Sequence, residues 1–239
     1  MKALTFSRFG SAEVLEYIDI PVPELKDNEV LVKMEAIGLN YADIYRRKGN
    51  YHLSGNPPYI AGYEGAGIVV KSNVQNCKIG DKIAFTDVPF ANAEYVAVPE
   101  SHIIKLPPTI HSNLAASVLL QGLTAFYLSS DSYKVTNEDT ILIHAASGGV
   151  GQILTQICKL KGAKVIGLTR DTDKLENIIN NKADDALLLD ENWKSKVMDI
   201  TNNIGVTVVF DSVGSTLSDS FEVITSAIFL FECMASSAR

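Results

Sequence analysis

Cysteine, positive charge, long apolar runs and, in its second half, proline are all scarce in this 239-residue chain, and each shortage closes off a class of protein. The three cysteines, Cys77, Cys158 and Cys233, lie far apart and form no CxxC pair. An odd, sparse set fits reduced thiols rather than a disulfide framework, and no zinc cluster can be assembled from it. Lys and Arg number 21 against 28 Asp and Glu, a net charge of −7. That argues against a broad electrostatic grip on nucleic acid or an anionic membrane and leaves room only for a local basic pocket. The longest apolar stretch, around Ala227 to Phe231, is far short of the ~20 residues that span a bilayer. The opening Met1-Lys2-Ala3-Leu4-Thr5-Phe6 alternates and lacks the apolar core of a signal peptide. The expectation is a cytoplasmic globular protein, with 46% hydrophobic and 21% charged residues in the ordinary range. At about 150 residues per domain, the length exceeds one small module.

All eight prolines fall at or before Pro108. Up to that point short strand-like runs alternate with turns: Val30–Ala36, Glu64–Val70, Lys82–Phe85 and Ala93–Val98. Afterwards the rhythm is helix and strand in alternation. Asn113–Asp131 predicts a helix with Ser112 or Asn113 as N-cap. Strands are predicted at Thr140–Ala145, Lys164–Thr169, Ala186–Leu189 and Val206–Asp211, with helices at Gly151–Lys161, Thr172–Asn181 and Trp193–Asn202. Phe221–Phe231 looks like a further helix–strand step. Short apolar strands between helices predict a parallel, doubly wound sheet. The expected division is a mostly β domain over 1–112 and an α/β domain over 113–239.

Between the first of these later strands and its helix lies Ala145-Ala146-Ser147-Gly148-Gly149-Val150-Gly151. Strand, glycine turn and helix N-terminus form a cradle for a pyrophosphate: backbone N–H groups approach the phosphates, and the helix end adds about half a positive charge. A tight turn without ligand is the alternative, and Ala146 stands where the GxGxxG pattern has its first glycine. The strand, helix and second strand around the turn favour a dinucleotide held by Ser147, Gly148, Gly149, Val150 and Gly151. An acid near the second strand's tip would select NAD. By count Asp171 qualifies, 171 − 151 = 20 residues after Gly151, but the strand itself ends at Thr169. Arg170 and Lys174 follow, and either could pair with a 2′-phosphate. Each alone also serves as a helix cap or solvent-facing cation; together, after a tip without an acid, they favour NADP(H).

Two N-terminal segments bring a resemblance into view: Gly38-Leu39-Asn40-Tyr41-Ala42-Asp43-Ile44-Tyr45-Arg46-Arg47-Lys48-Gly49, and Pro57-Pro58-Tyr59-Ile60-Ala61-Gly62-Tyr63-Glu64-Gly65-Ala66-Gly67. With the glycine turn they resemble the medium-chain dehydrogenase/reductase superfamily, and within it the zinc-free NADPH:quinone oxidoreductases of the zeta-crystallin-like group. The likeness runs from Lys2 to about Gly214. It implies a GroES-like catalytic domain followed by a Rossmann domain, NADPH as cofactor, and a quinone or activated alkene as acceptor. Zinc enzymes of the superfamily carry cysteine and histidine where this chain has Asn40 and Tyr63. An amide and a phenol are poor zinc donors, so no metal is expected.

The same resemblance sets Asn40, Tyr45 and Tyr51 beside the nicotinamide and acceptor as catalytic candidates, with Asp43 orienting its neighbours. It places Thr124, in Gln121-Gly122-Leu123-Thr124-Ala125-Phe126-Tyr127, near the nicotinamide, and Asp211 and Ser212 along the cofactor cleft. The histidines form no cluster, and His144 fits a core position. Two departures stand out. Leu189 occupies a place where relatives often have a tyrosine beside the 2′-phosphate, and relatives continue well beyond Arg239, so the Rossmann domain is expected to be C-terminally truncated. Full-length relatives are expected to form homodimers. An enone or enoyl reductase, and a nucleotide-binding protein without turnover, are the competing readings.

Overall fold

The computed structural model describes residues 1–230, in two compact units that divide after Leu120. In the first unit the strands are β1 (Lys2–Phe6), β2 (Glu16–Asp19), β3 (Glu29–Ile37), β4 (Tyr59–Ile60), β5 (Glu64–Ser72), β6 (Lys82–Thr86), β7 (Tyr95–Pro99) and β8 (Ile104–Lys105), with one helix, α1 (Tyr41–Lys48), between β3 and β4. Five strands form an antiparallel sheet in the order β7-β3-β5-β6-β8, and three more form β2-β1-β4. Alternation along β3 sends Val30 and Val32 inward, where they pack with Val69, Ile83, Phe85, Val96 and Val98. The register of β3 against β5 shifts between Met34 and Ala36. Gly67 permits the close approach there, because a Cβ would run into the Lys33 carbonyl.

Helix α2 (Ser112–Tyr127) carries the chain into the second unit. There follow β9 (Thr140–Ile143), α3 (Gly149–Leu160), β10 (Lys164–Thr169), α4 (Leu175–Asn180), β11 (Asp185–Leu188), α5 (Trp193–Ile200), β12 (Val206–Asp211), α6 (Leu217–Ser220) and β13 (Ile224–Leu230). The strands pair in parallel in the order β11-β10-β9-β12-β13. Apolar residues cover both faces of the sheet. Ile141 and Ile143 pack with Leu154 and Cys158 of α3, whereas Leu142 packs with Trp193 and Val197 of α5. The doubly wound expectation holds, and β10 and β12 keep their expected bounds. The strand order reverses between β9 and β12, and ligands of such sheets gather outside the carboxyl ends at that point.

Three local expectations need correction. Ser112 is the first residue of α2 rather than its cap, and its hydroxyl donates to Glu35 Oε2 at 2.6 Å. The helix predicted over Thr172–Asn181 divides into a 3₁₀ turn, Thr172–Lys174, and α4. In the last step the helix precedes Phe221 rather than beginning there. Phe231 and Cys233 lie outside the described residues. Among the described residues no helix is long and apolar enough to cross a membrane.

Candidate functional site

In the first unit the candidates gather around α1. Asn40 is the extended residue that caps this helix, and Gly49, at φ 81°, ends it in the left-handed conformation a glycine adopts without strain. Asp43, one turn in, accepts the Asn40 backbone N–H at 3.0 Å and Arg46 Nη1 at 3.2 Å. The Asn40 side chain is held separately. Its Nδ2 donates to Glu64 Oε2 at 2.7 Å, and the other oxygen of Glu64 accepts the Leu120 N–H at 2.7 Å. Glu64 is 2% exposed, and a Cβ on Gly38 would collide with its carboxylate. Burial pushes the Glu64 carboxyl above the usual carboxylate range, against the opposing hydrogen bond from Asn40. Burial raises Asp43 as well, partly offset by the Asn40 N–H and the Arg46 charge.

Tyr45 lies half-buried on α1 and stacks with Tyr41 at 6.4 Å between centroids. Tyr51 follows the helix in a loop. The Tyr51 ring meets the Arg46 guanidinium at 4.8 Å, and the same guanidinium lies 3.4 Å from the centroid of Tyr63. The Ser54 N–H reaches the Tyr63 hydroxyl at 3.3 Å. Tyr63, at the place where the resemblance puts a zinc enzyme's histidine, is a buried phenol lying against a cation. That pair repels a dication and offers it no thiolate, imidazole or carboxylate, so the residues present do not fit zinc. Among the described residues no group of three or more His, Cys, Asp or Glu is placed to hold a metal.

In the second unit the turn after β9 brings Ser147 through Gly151 to the carboxyl edge of the sheet, with α3 starting at Gly149. Gly148 and Gly149 are exposed, and the first N–H groups of any helix lack intrahelical acceptors, so this turn fits a pyrophosphate. Gly151 is a steric requirement: a Cβ would strike the Ala145 carbonyl and come within 2.7 Å of Ala146 Cα. Ala146 fits in place of the pattern's first glycine because Gly167 of β10 leaves it room, since a Cβ there would lie 2.8 Å from that of Ala146. Ala145 bears the cost of the bend, at φ 49°.

Ser147 Oγ and Thr169 Oγ1 are 3.1 Å apart, tying the turn to the tip of β10. Arg170 and Lys174 are exposed just beyond, and Lys174 pairs with Asp171 at 3.3 Å. Thr124 is half-buried on α2. Asp211 is fully buried, with Oδ1 accepting the Val213 and Gly214 N–H groups and Oδ2 accepting the Thr216 hydroxyl. It shapes the turn after β12, on which Ser212 remains partly open.

Three residues escaped the sequence reading. Glu64 is a lone acid in a glycine-rich strand, and that oddity was its only signal. Arg46 sits in a run of three cations that reads as a solvated helix end. Gln121 abuts Gly149, where a Cβ would overlap its side chain.

Comparison with known proteins gives a consistent picture. Residues 26–108 match the alcohol dehydrogenase GroES-like domain family, and residues 149–227 match the zinc-binding dehydrogenase family. The chain is 38% identical to a quinone oxidoreductase of Pseudomonas aeruginosa, across 89% of this chain and 66% of that protein. It is 36% identical to a probable quinone oxidoreductase of Schizosaccharomyces pombe, across 91% and 67%. The crystal structure of Escherichia coli quinone oxidoreductase complexed with NADPH superposes with a TM-score of 0.92 at 30% identity, covering 97% of this chain and 73% of that one. The chain thus spans about two thirds of the length of the curated relatives it matches.

Proposed function

The chain belongs to the medium-chain dehydrogenase/reductase superfamily, in its quinone oxidoreductase group, with a GroES-like domain followed by a Rossmann domain, and on that premise we propose that it is an NADPH-dependent, zinc-independent quinone reductase. The observation that carries the reading is the filled metal position: the Tyr63 ring lies against the Arg46 guanidinium next to a helix capped by Asn40. Without a Lewis acid, the acceptor must already be electrophilic, as a quinone is.

We assign the acceptor to the domain over 1–112 and the nucleotide to that over 113–239. Bound NADPH would supply the hydride. Ser147 through Gly151 would hold its pyrophosphate, Thr169, Arg170 and Lys174 its adenosine end, and Thr124, Asp211 and Ser212 the remaining contacts. Asn40, its amide fixed by Glu64, would hydrogen-bond a carbonyl or hydroxyl in the site, and Tyr45 and Tyr51 would give the acceptor flat walls with polar tips. The proton that completes reduction of the quinone comes from water. The unpaired, buried Cys77 and Cys158 agree with a cytoplasmic setting.

The test is NADPH oxidation by this chain with 1,4-benzoquinone, with NADH and an enone as parallel arms and nucleotide binding followed by fluorescence. Turnover that prefers NADPH and the quinone is the expected result. Nucleotide binding without turnover of either acceptor would overturn the enzymatic reading and leave a nucleotide-binding protein. Turnover of the enone alone would move the acceptor class.

A further inference from the structure

Arg46 is buried at 6% exposure, yet its charge is poorly compensated. Nη1 meets Asp43 Oδ1 at 3.2 Å, while Nε is buried with no hydrogen-bond partner. Burying a cation on these terms is costly, and an apolar side chain of similar volume often serves stability as well or better. What the guanidinium does have is two aromatic faces, Tyr63 at 3.4 Å and Tyr51 at 4.8 Å. His52 joins the same cluster, 4.4 Å from Tyr51 and 6.4 Å from Tyr63 between ring centroids. Tyr63 immediately precedes β5, and Tyr51 lies in the loop after α1. Arg46 therefore ties a loop residue to the entrance of β5 through its two ring contacts, which strengthen when shielded from water. Through Asp43 the same side chain is linked to the backbone N–H of Asn40.

We propose that Arg46 is a positioning residue for the acceptor: a cation clamp that holds Tyr51 against Tyr63 and so fixes one wall of the quinone site relative to Asn40. The inference rests on the quinone-reductase reading. A flat acceptor has few polar handles, so its alignment depends on rigid walls, and a displacement of about 1 Å can cost on the order of a hundredfold in rate. Lysine keeps a cation that can meet Asp43 and one ring face. Methionine keeps the volume and loses both contacts.

The experiment compares the wild type, Arg46→Met and Arg46→Lys in KM and kcat for 1,4-benzoquinone, in quinone binding by calorimetry with the oxidised nucleotide present, in NADPH affinity, and in Tm. The clamp predicts that Arg46→Met raises the quinone KM and dissociation constant about tenfold, roughly 1.4 kcal/mol, with NADPH affinity unchanged. Arg46→Lys should recover much of that loss. If Arg46→Met does not fold, Tyr51→Leu, alone and combined with Arg46→Lys, replaces it, and the two changes should be less than additive in quinone binding. Unchanged quinone parameters in the variants, a lysine variant that recovers nothing, or strict additivity would overturn the clamp alone. If the wild type binds quinone without turnover, the function fails while binding still judges the clamp. If it binds no quinone, both fall.

Discussion

Asn40 Nδ2 donates to a carboxylate oxygen of the buried Glu64 at 2.7 Å, 24 residues further along the chain. The pairing fixes which way the Asn40 amide faces, and an ionised Glu64 accepts more strongly at both oxygens than a protonated one. Burial raises the Glu64 carboxyl above the ordinary 4.5, so acidification protonates it earlier than an exposed glutamate. The acceptor kcat/KM should therefore fall on the acid side with an apparent pKa above 4.5. Stability moves the other way. The native state binds this proton more tightly than the unfolded chain, so lowering the pH from the raised value to 4.5 adds stability from this group. Glu64→Gln should abolish the acid limb and cost about 1–3 kcal/mol, because its NH₂ must face either Asn40 Nδ2 or the Leu120 N–H. An unchanged acid limb in that variant would assign the titration elsewhere.

Two glycines of the nucleotide turn separate folding from binding. At Gly151 a Cβ would meet the backbone of Ala145 and Ala146, so Gly151→Ala should destabilise by about 1–3 kcal/mol, as overpacking does. At Gly148 the nearest atom to a new Cβ is the Ala145 carbonyl, 3.1 Å away, and the residue has an ordinary extended backbone with φ −78°. Gly148→Ala should lower Tm less than Gly151→Ala, its one close contact being 3.1 Å where a Cβ on Gly151 would strike the same carbonyl outright, and weaken NADPH about tenfold by filling space the pyrophosphate approaches, ~1.4 kcal/mol. Melting curves with a nucleotide titration decide the matter. Undiminished NADPH affinity in Gly148→Ala would remove this turn from the binding site.

Much of this was legible in the chain because the signals were local. The buried run Thr140–Ile143, the glycines after it and the apolar strand Lys164–Thr169 are neighbours in sequence, and their spacing carries the βαβ geometry directly. Arg46 shows where local evidence stops. Beside Arg47 and Lys48 it has the pattern of a charged helix end, and Arg47 and Lys48 are indeed more open. Its burial depends on Tyr51 and Tyr63 folding over it, a fact of tertiary packing that periodicity does not carry. Helix α1 itself was visible only as a motif, since its mixed polar surface gives little apolar stripe. Glu64 was hidden for the opposite reason: its strand reads as continuous core, and only the distant partners Asn40 and Leu120 explain an acid within it.

Cofactor preference should respond to three residues at the tip of β10. Lys174 pairs with Asp171 at 3.3 Å, but both side chains are about half exposed, so this contact is a weak competitor for a phosphate. Replacing Arg170 and Lys174 together with alanine should lower the NADPH-to-NADH affinity ratio by about 10–100-fold, matching one charged hydrogen bond of about 1.5–3 kcal/mol. Asp171→Asn should move the ratio a few-fold the other way by freeing Lys174 and removing a repelling carboxylate. Dissociation constants for the two nucleotides test both directions, and a ratio indifferent to all three substitutions would place the 2′-phosphate elsewhere.

His144, at the carboxyl end of β9, should make the fold acid-sensitive. It is 1% exposed and packs edge-on to Trp193, with ring centroids 5.5 Å apart. Ser220 donates its one hydroxyl proton to the Thr216 carbonyl at 3.0 Å, so across the 2.9 Å contact to His144 Nε2 it accepts. That assigns the imidazole proton to Nε2 and leaves buried Nδ1 a bare acceptor without a partner. A second proton would have to enter there, in a dry site. Burial accordingly lowers the His144 pKa below 6.5, against the attraction of Asp211 at 4.0 Å and of Asp219, with Arg170 adding to the depression. Between that lowered value and 6.5 the unfolded chain holds more protons than the native one, so stability is full above 6.5 and falls as the pH drops through this window. The slope from this single group cannot exceed 2.303RT, about 1.4 kcal/mol per pH unit. His144→Leu removes the titration and leaves Ser220 satisfied by Thr216, so its stability should decline less steeply over the same range. Urea melts of both proteins across this window provide the comparison, and parallel curves would show that His144 does not set the acid sensitivity.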